Sequence, residues 1–477
     1  MALLEHERAL IAPHVSSLDD EVFALSSLPG GATGALFAAV ESDPRDPRAV
    51  LAELRARAER EPRVPVAGRA LHDSLHVIAL RSSLVATRVV RDSRLVEVIE
   101  RHPSLVGQAH GSGAPLFTTP TGLSPELEAR YRAGAERLLA TYHELLPRVA
   151  ELMRGRARRD GADELELARC DARAAELLRG LLPAGVTTRF GFTAGGKALR
   201  RLVRKLLSHS LGEVRALGDS IRRATAALSP RIAEGMTASE LELHRATDVG
   251  KALSTIYSPP AEELRTTRVI AQPVKLLRHD KDALERVVLA LAYENSEGSW
   301  HASGILDALR YATQSELEAV VVSAVARRGE LEDAPRALES STLTFELMLD
   351  FAGFGYLQRH RVLTAHTQQL GCRLGFDLPS EISELGVSEP YVEALMGAHE
   401  TWYALAQAHP QEAQYVVPSA YRVRTLWTLS LRELVRVVER RSRRGEPASV
   451  RRVAQALYRA TTGVHPWLRL IARADLS

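Results

Sequence analysis

Cysteine is almost absent from this chain: Cys170 and Cys372 are the only two in 477 residues. They are far apart and have no partner spacing, which excludes a disulfide framework and a multi-cysteine zinc site and fits a reducing cytoplasm. Lysine is scarce too, confined to Lys197, Lys205, Lys251, Lys275 and Lys281. Arginine therefore carries nearly all the positive charge, and an arginine-rich patch is weak evidence of a site, because a biased genome also produces one. Lys+Arg 62 against Asp+Glu 59 leaves a net charge of +3, too little to call for a nucleic-acid partner. No apolar run approaches about 20 residues, so no membrane span is expected. The opening MALLEHERAL places Glu5, His6 and Glu7 where a signal peptide is apolar.

Hydrophobic residues at 45% and charged residues at 25% are ordinary for a folded protein. The length suits two or three domains. The most informative feature is that the chain contains itself twice. LLPAGVTTRFGFTAGGKALRRLVRKLL (181–207) and VVPSAYRVRTLWTLSLRELVRVVERR (416–441) each place a threonine ten positions after a proline, Pro183 to Thr193 and Pro418 to Thr428. RATAALSP (223–230) matches RATTGVHP (459–466), with Arg215 and Arg451 each fifteen residues before the closing proline. LSPELEARYRAGAERLLATYHEL, from Leu123, resembles VSEPYVEALMGAHETWYALAQAH, from Val387.

Each copy reads as α plus β. Val186, Thr188, Phe190 and Phe192, like Tyr421, Val423, Thr425 and Trp427, recur at period two, as in a half-buried strand. Leu199, Leu202, Val203 and Leu206, like Leu434, Val437 and Val438, recur at three and four, as on a helix face. The predicted organisation is a degenerate copy over 1–235, a helical linker over 236–265 with a capping-like Thr237/Glu240 pair, and a second copy over 266–477. The fold class is α/β (α+β), a tandem duplication that is helix-rich with a central sheet in each copy.

LQRHRVLTAHTQQLG (357–371) follows a long apolar segment with Arg359, His360 and Arg361. One reading is a cationic last turn favoured by the helix dipole; the other is an anion site. Taken with the upstream ALESSTLTFELMLDF and the downstream Pro418 strand and Arg432 helix, this run resembles the flavin-dependent thymidylate synthases, in a long, two-copy branch. The resemblance covers most of the chain. It implies an α/β scaffold that is tetrameric in the family, with FAD at subunit interfaces and dUMP stacked on the flavin. A two-copy chain then implies a homodimer mimicking that tetramer. The implied activity is reductive methylation of dUMP, or a related pyrimidine nucleotide, at C5, with methylenetetrahydrofolate and NADPH as co-substrates. Arginine's planar fork suits the phosphates of such ligands.

Carried over by motif position, Arg359, His360 and Arg361 are cofactor-binding, together with Glu339 of the upstream strand and Arg432. Arg441 faces the nucleotide and is the catalytic candidate. Gln369 stands where the family has its substrate-loop serine, Thr367 replaces a glutamate, and Gly371 replaces the loop arginine. Ser430, Arg436 and Gln414 replace an asparagine, an asparagine or histidine, and an arginine, and the His-Glu-Thr run has become Ala334, Pro335 and Arg336. In the first copy the triplet is Arg91, Asp92 and Ser93, with Gly195, Lys197 and Leu206 at the downstream positions. That copy keeps Arg179 and Glu100 where the second has lost its counterparts. These complementary losses make Arg179 and Glu100 substrate-binding candidates that complete a mixed site. An inactive paralogue binding flavin, nucleotide or a protein, and related C5 chemistry on another pyrimidine, remain the alternatives. The basic helix faces around Arg200 and Arg440 read as solvated, GQAHGSGAP (107–115) as a loop, and HDS (72–74) as a relic of the flavin-seating strand; no metal site is expected.

Overall fold

The computed structural model describes residues 3–26, 36, 39–40, 43–60, 74–101, 116–228, 230–257, 273–296, 298–330 and 332–477. His72, Asp73, the 107–115 loop and the end of the expected linker lie outside them. The chain divides into two compact units, Met1–Thr267 with Leu378–Ala420, and Arg268–Asp377 with Tyr421–Ser477.

Each unit holds a four-stranded antiparallel sheet with the same wiring. In the first, β1 (Val22–Leu25), β2 (Ser74–Ser83), β3 (Val96–Glu100) and β4 (Thr187–Gly195) lie in the order β1-β2-β4-β3. In the second, β5 (Val274–His279), β6 (Thr342–Asp350), β7 (Leu363–Thr367) and β8 (Arg422–Ser430) lie in the order β5-β6-β8-β7. The register repeats at the end of the second strand, where Ser83 faces Thr187 as Asp350 faces Arg422, although β2 carries a shift between Ala79 and Ser82 that β6 lacks. Both central strands turn directly into amphipathic helices, Gly196–Leu207 and Leu431–Arg441, which bury the leucines and valines that the periodicity singles out. The fold is the tandem α/β duplication expected.

Two details differ from the sequence reading. β8 alternates buried and half-buried residues as expected, but β4 is buried from Thr187 through Phe192, Arg189 included. Its period-two pattern marks side-chain identity, whereas cover on both faces decides burial. The linker helix begins at Glu240 with Ser239 as N-cap and no capping side chain. The Thr237/Glu240 box is not formed, and the Ser239 N–H donates to Ser208 Oγ instead (2.7 Å).

Within the first unit, the segments around Pro183 and Pro418 pair about a local two-fold axis. The Ala184 N–H donates to Val417 O (2.8 Å), and, 235 positions on, Ser419 N–H donates to Leu182 O (2.9 Å). Gly185 to Tyr415 O (2.7 Å) is likewise mirrored by Ala420 to Gly180 O (2.9 Å). The helices Pro125–Arg159 and Ser388–Ala406 cross closely here, with Gly134 against Thr401, where an added Cβ would stand 2.8 Å from the threonine Oγ1.

His209, between helices Gly196–Leu207 and Gly212–Leu228, accepts the Leu211 N–H through Nδ1 (3.1 Å). Burial, with Lys205, Arg88 and Arg215 nearby, pulls its pKa down to about 4. It stays neutral in the fold while the unfolded chain takes up a proton below its ordinary pKa of about 6.5, so stability rises with pH across that window. At this partly solvated position we expect a loss on the order of 2 kcal/mol between pH 7 and pH 4. A thermal-melt series against pH should show His209→Gln with a flatter acid limb; an unchanged limb would refute the assignment.

Candidate functional site

The RHR triplet follows the short helix Phe351–Leu357, whose N-cap Asp350 accepts the Gly353 N–H (2.6 Å). The helix ends at Leu357 and β7 begins at Leu363, so the three residues turn through different environments. Arg359 is exposed, its guanidinium over the Tyr356 ring with 5.6 Å to the centroid. Arg361 is half-buried. His360 points inward and is 8% exposed.

His360 is the centre of a polar chain. Its Nδ1 lies 2.9 Å from Glu433 Oε1, Arg441 Nε donates to its Nε2 (3.0 Å), and Arg441 Nη1 donates to both oxygens of Glu446 (2.8 and 3.0 Å). A guanidinium can only donate, so Nε2 must accept, which places the imidazole proton on Nδ1, facing the carboxylate. Burial lowers the His360 pKa; Glu433 opposes that shift and the Arg441 and Arg436 charges reinforce it. The imidazole is thus neutral at ordinary pH and orients Arg441. Glu433 is positioned by its own helix start, where Ser430 Oγ accepts its N–H (3.3 Å).

At the other end of helix Leu431–Arg441, Arg432 Nη1 donates to Glu339 Oε1 (2.8 Å) and Arg432 Nε to Ala334 O (2.8 Å); Glu339 lies not on a strand, as expected, but in the 3-10 turn Arg336–Ser340 that precedes β6. Arg336 also approaches Glu339 (3.5 Å). The substituted Ala334–Pro335–Arg336 segment therefore braces the Glu339–Arg432 pair, which stays about one-third exposed. Gln369 is exposed, and Thr367 meets Thr425 Oγ1 (3.0 Å) in place of any carboxylate contact.

In the first unit, the corresponding positions satisfy one another. Arg91 pairs with Glu100, and Asp92 with Lys205 (2.7 Å). Arg179 is buried and pairs with Glu176 (3.2 Å). Among the described residues no cluster of three or more metal-ligating side chains occurs, and His76 Nδ1 bonds Thr193 Oγ1 (2.8 Å). No described helix is long and apolar enough to cross a membrane.

Sequence reasoning missed Glu433 and Glu446. The signal for Glu433 was present: it lies four and eight residues before Val437 and Arg441, on the apolar face of the helix, where an isolated acid calls for a partner.

Residues 275–467, which contain the RHR chain of contacts, match the family described as "Thymidylate synthase complementing protein". Along its full length the chain is similar to a UPF0159 protein of Chlamydia muridarum, 25% identical over 97% of this chain and 93% of the relative. A UPF0159 protein of Thermoplasma acidophilum is 25% identical over 81% of each chain. The flavin-dependent thymidylate synthase ThyX from Helicobacter pylori, solved with FAD and dUMP, aligns at 15% identity and TM-score 0.32, over 41% of this chain and 97% of its own. The matched stretch covers the second sheet, whereas the similarity to the UPF0159 relatives spans both copies.

Proposed function

We propose that this protein is an FAD-dependent enzyme that methylates dUMP at C5, with methylenetetrahydrofolate and NADPH as co-substrates, acting in the cytoplasm as a homodimer. The observation that carries this reading is the buried Glu433–His360–Arg441 chain inside a matched thymidylate synthase complementing domain. It spends the histidine on orientation and leaves Arg359 exposed and the Arg432–Glu339 pair partly exposed. These donors fit a phosphate-bearing cofactor: Arg359, Arg361 and Arg432 would hold its anionic groups, with His360 and Glu339 setting their positions. FAD, when bound, supplies the hydride chemistry. Arg441 holds the nucleotide, and Gln369 both donates to and accepts from the base. An inactive flavin- or nucleotide-binding paralogue is the second reading, favoured by one contact: Glu446 holds the Arg441 fork that a nucleotide has to engage. Gln369 in place of serine equally supports C5 chemistry on another pyrimidine.

The test is a visible spectrum of the purified protein with FAD titrated in the presence and absence of dUMP. We expect flavin absorbance that shifts when dUMP is added, weaker nucleotide affinity in Arg179→Ala, and growth when the gene complements a thymidine auxotroph. Failure to bind FAD overturns the proposal; binding without growth selects the inactive reading.

A further inference from the structure

The first unit contains a cavity of about 570 Å³ that none of the RHR-centred residues lines. It lies where the start of β1, the end of β2 and the start of β4 meet the helix Gly212–Leu228. This volume falls within the range of roughly 300–1,000 Å³ usual for small-molecule sites.

The second unit explains why the space exists. Phe117 bridges to Val186 as Phe376 bridges to Tyr421, so Thr118 corresponds to Asp377 and Thr187 to Arg422. The repeated Arg215 and Arg451 make Ala216 the counterpart of Arg452. In the second unit Arg422 and Arg452 both bond Asp377 (2.7 and 3.2 Å), filling the position with a carboxylate between two guanidinium groups. In the first unit two threonines and an alanine stand there, and the plug is replaced by open volume.

The walls indicate what fills it. Ser82, 3% exposed, replaces the buried Leu349 and lines the cavity, and its Oγ has no hydrogen-bond partner. A hydroxyl buried this way is costly unless something in the cavity bonds it. Thr118, Thr119, Thr187 and Ser220 add further hydroxyls, while Ala216, Leu217, Ala224 and Ala227 form an apolar side. Arg132 and Arg223 reach the cavity, and their carboxylate partners, Glu128 (2.9 Å) and Asp219 (3.3 Å), are not among its lining residues. Such exposed pairs are weak and leave the guanidinium groups open to an anion. The lining carboxylate Glu213 is already saturated, taking the Ser83 N–H (2.8 Å), Ser83 Oγ–H (2.6 Å) and Thr118 Oγ–H (3.3 Å), with Tyr415 also bonded to it. Glu21 is held by Arg81 (2.7 Å), and the third lining carboxylate, Asp20, is exposed to solvent at the cavity edge.

We infer that this cavity binds a small phosphorylated sugar, the phosphate toward Arg132 and Arg223 and a sugar hydroxyl toward Ser82. The site is separate from the flavin and nucleotide reading, so either holds if the other fails.

Isothermal titration of the full chain with ribose 5-phosphate, ribose and inorganic phosphate tests it. Ribose 5-phosphate should bind at least about tenfold more tightly than either fragment. Ser82→Ala and Arg223→Gln should each weaken it about tenfold. Ser82→Ala should melt no lower than the parent, since it removes an unbonded buried hydroxyl, which a purely structural serine would not show. Ala216→Trp, which fills the open volume with an apolar ring, should abolish binding. No detectable heat with ribose 5-phosphate, equal affinity for inorganic phosphate, or unchanged affinity in Ser82→Ala overturns the inference.

Discussion

Replacing His360 by leucine is expected to destabilise the second unit by about 3 kcal/mol, one of the larger losses available to a single substitution here. The reason is the carboxylate left behind. Glu433 is 4% exposed, and without the Nδ1–H its nearest remaining cation is Arg436 at 4.0 Å. Arg441 simultaneously loses the acceptor for its Nε–H, although Glu446 still holds its other arm. Glu433→Gln should cost far less, about 1 kcal/mol, because an amide oxygen still accepts the imidazole proton. The double variant His360→Leu/Glu433→Leu should recover much of the loss by removing both buried polar partners together. Urea unfolding of the full chain, followed through the transition of the second unit, measures all three. A single-variant loss below about 0.5 kcal/mol, or strict additivity in the double variant, would show that the chain of contacts is solvated and carries little. FAD titration of the same variants separates stability from function: on the proposed reading, His360→Leu also weakens flavin binding, since Arg441 and the turn carrying Arg359 lose their anchor.

What the sequence revealed and what it hid follow from the same physics. The duplication was readable because strand-to-helix units preserve their periodicities, and Pro183 and Pro418 mark the same point of each repeat. Leu199, Leu202, Leu434 and Val438 are buried as their spacing requires. Site positions were readable only as residue types at motif spacing. That Arg432 faces Glu339, or that Arg441 is divided between His360 and Glu446, depends on long-range contacts with no local signature. The exchange of Leu378–Ala420 into the first compact unit was likewise invisible. Its cause is the paired segment at Pro418, where complementarity between the repeats rather than any property within one of them decides the packing. The cavity beside Ser82 was hidden for a related reason, since it appears only when Thr118, Thr187 and Ala216 are set against Asp377, Arg422 and Arg452.

Gly185→Ala should lower stability by about 2–4 kcal/mol through overpacking at that paired segment. An added Cβ would stand 2.6 Å from the Tyr131 hydroxyl and 2.8 Å from the Tyr415 carbonyl oxygen. Neither obstacle moves cheaply. The carbonyl is the acceptor of the Gly185 N–H itself, and the Tyr131 hydroxyl donates to Thr118 O. Gly180→Ala, at the other side of the local two-fold, meets the hydroxyl of the fully buried Tyr391 and the Ala420 Cβ at 3.0 Å, and should cost a similar amount. Gly155 supplies the control of opposite sign: it lies within helix Pro125–Arg159 with nothing within 4 Å of an added Cβ, so Gly155→Ala should stabilise by about 0.5–1 kcal/mol. Differential scanning calorimetry of the three variants checks the order, and a Gly185→Ala protein melting with the parent would mean the ribbon is looser than its hydrogen bonds indicate. The symmetry explains the choice of residues. Position 180 corresponds to 415 and position 185 to 420, so Gly185 lies opposite Tyr415 while Gly180 lies opposite Ala420. A glycine is what fits across the axis from the bulky Tyr415, whereas Gly180 stands opposite Ala420, so the two copies are not interchangeable there.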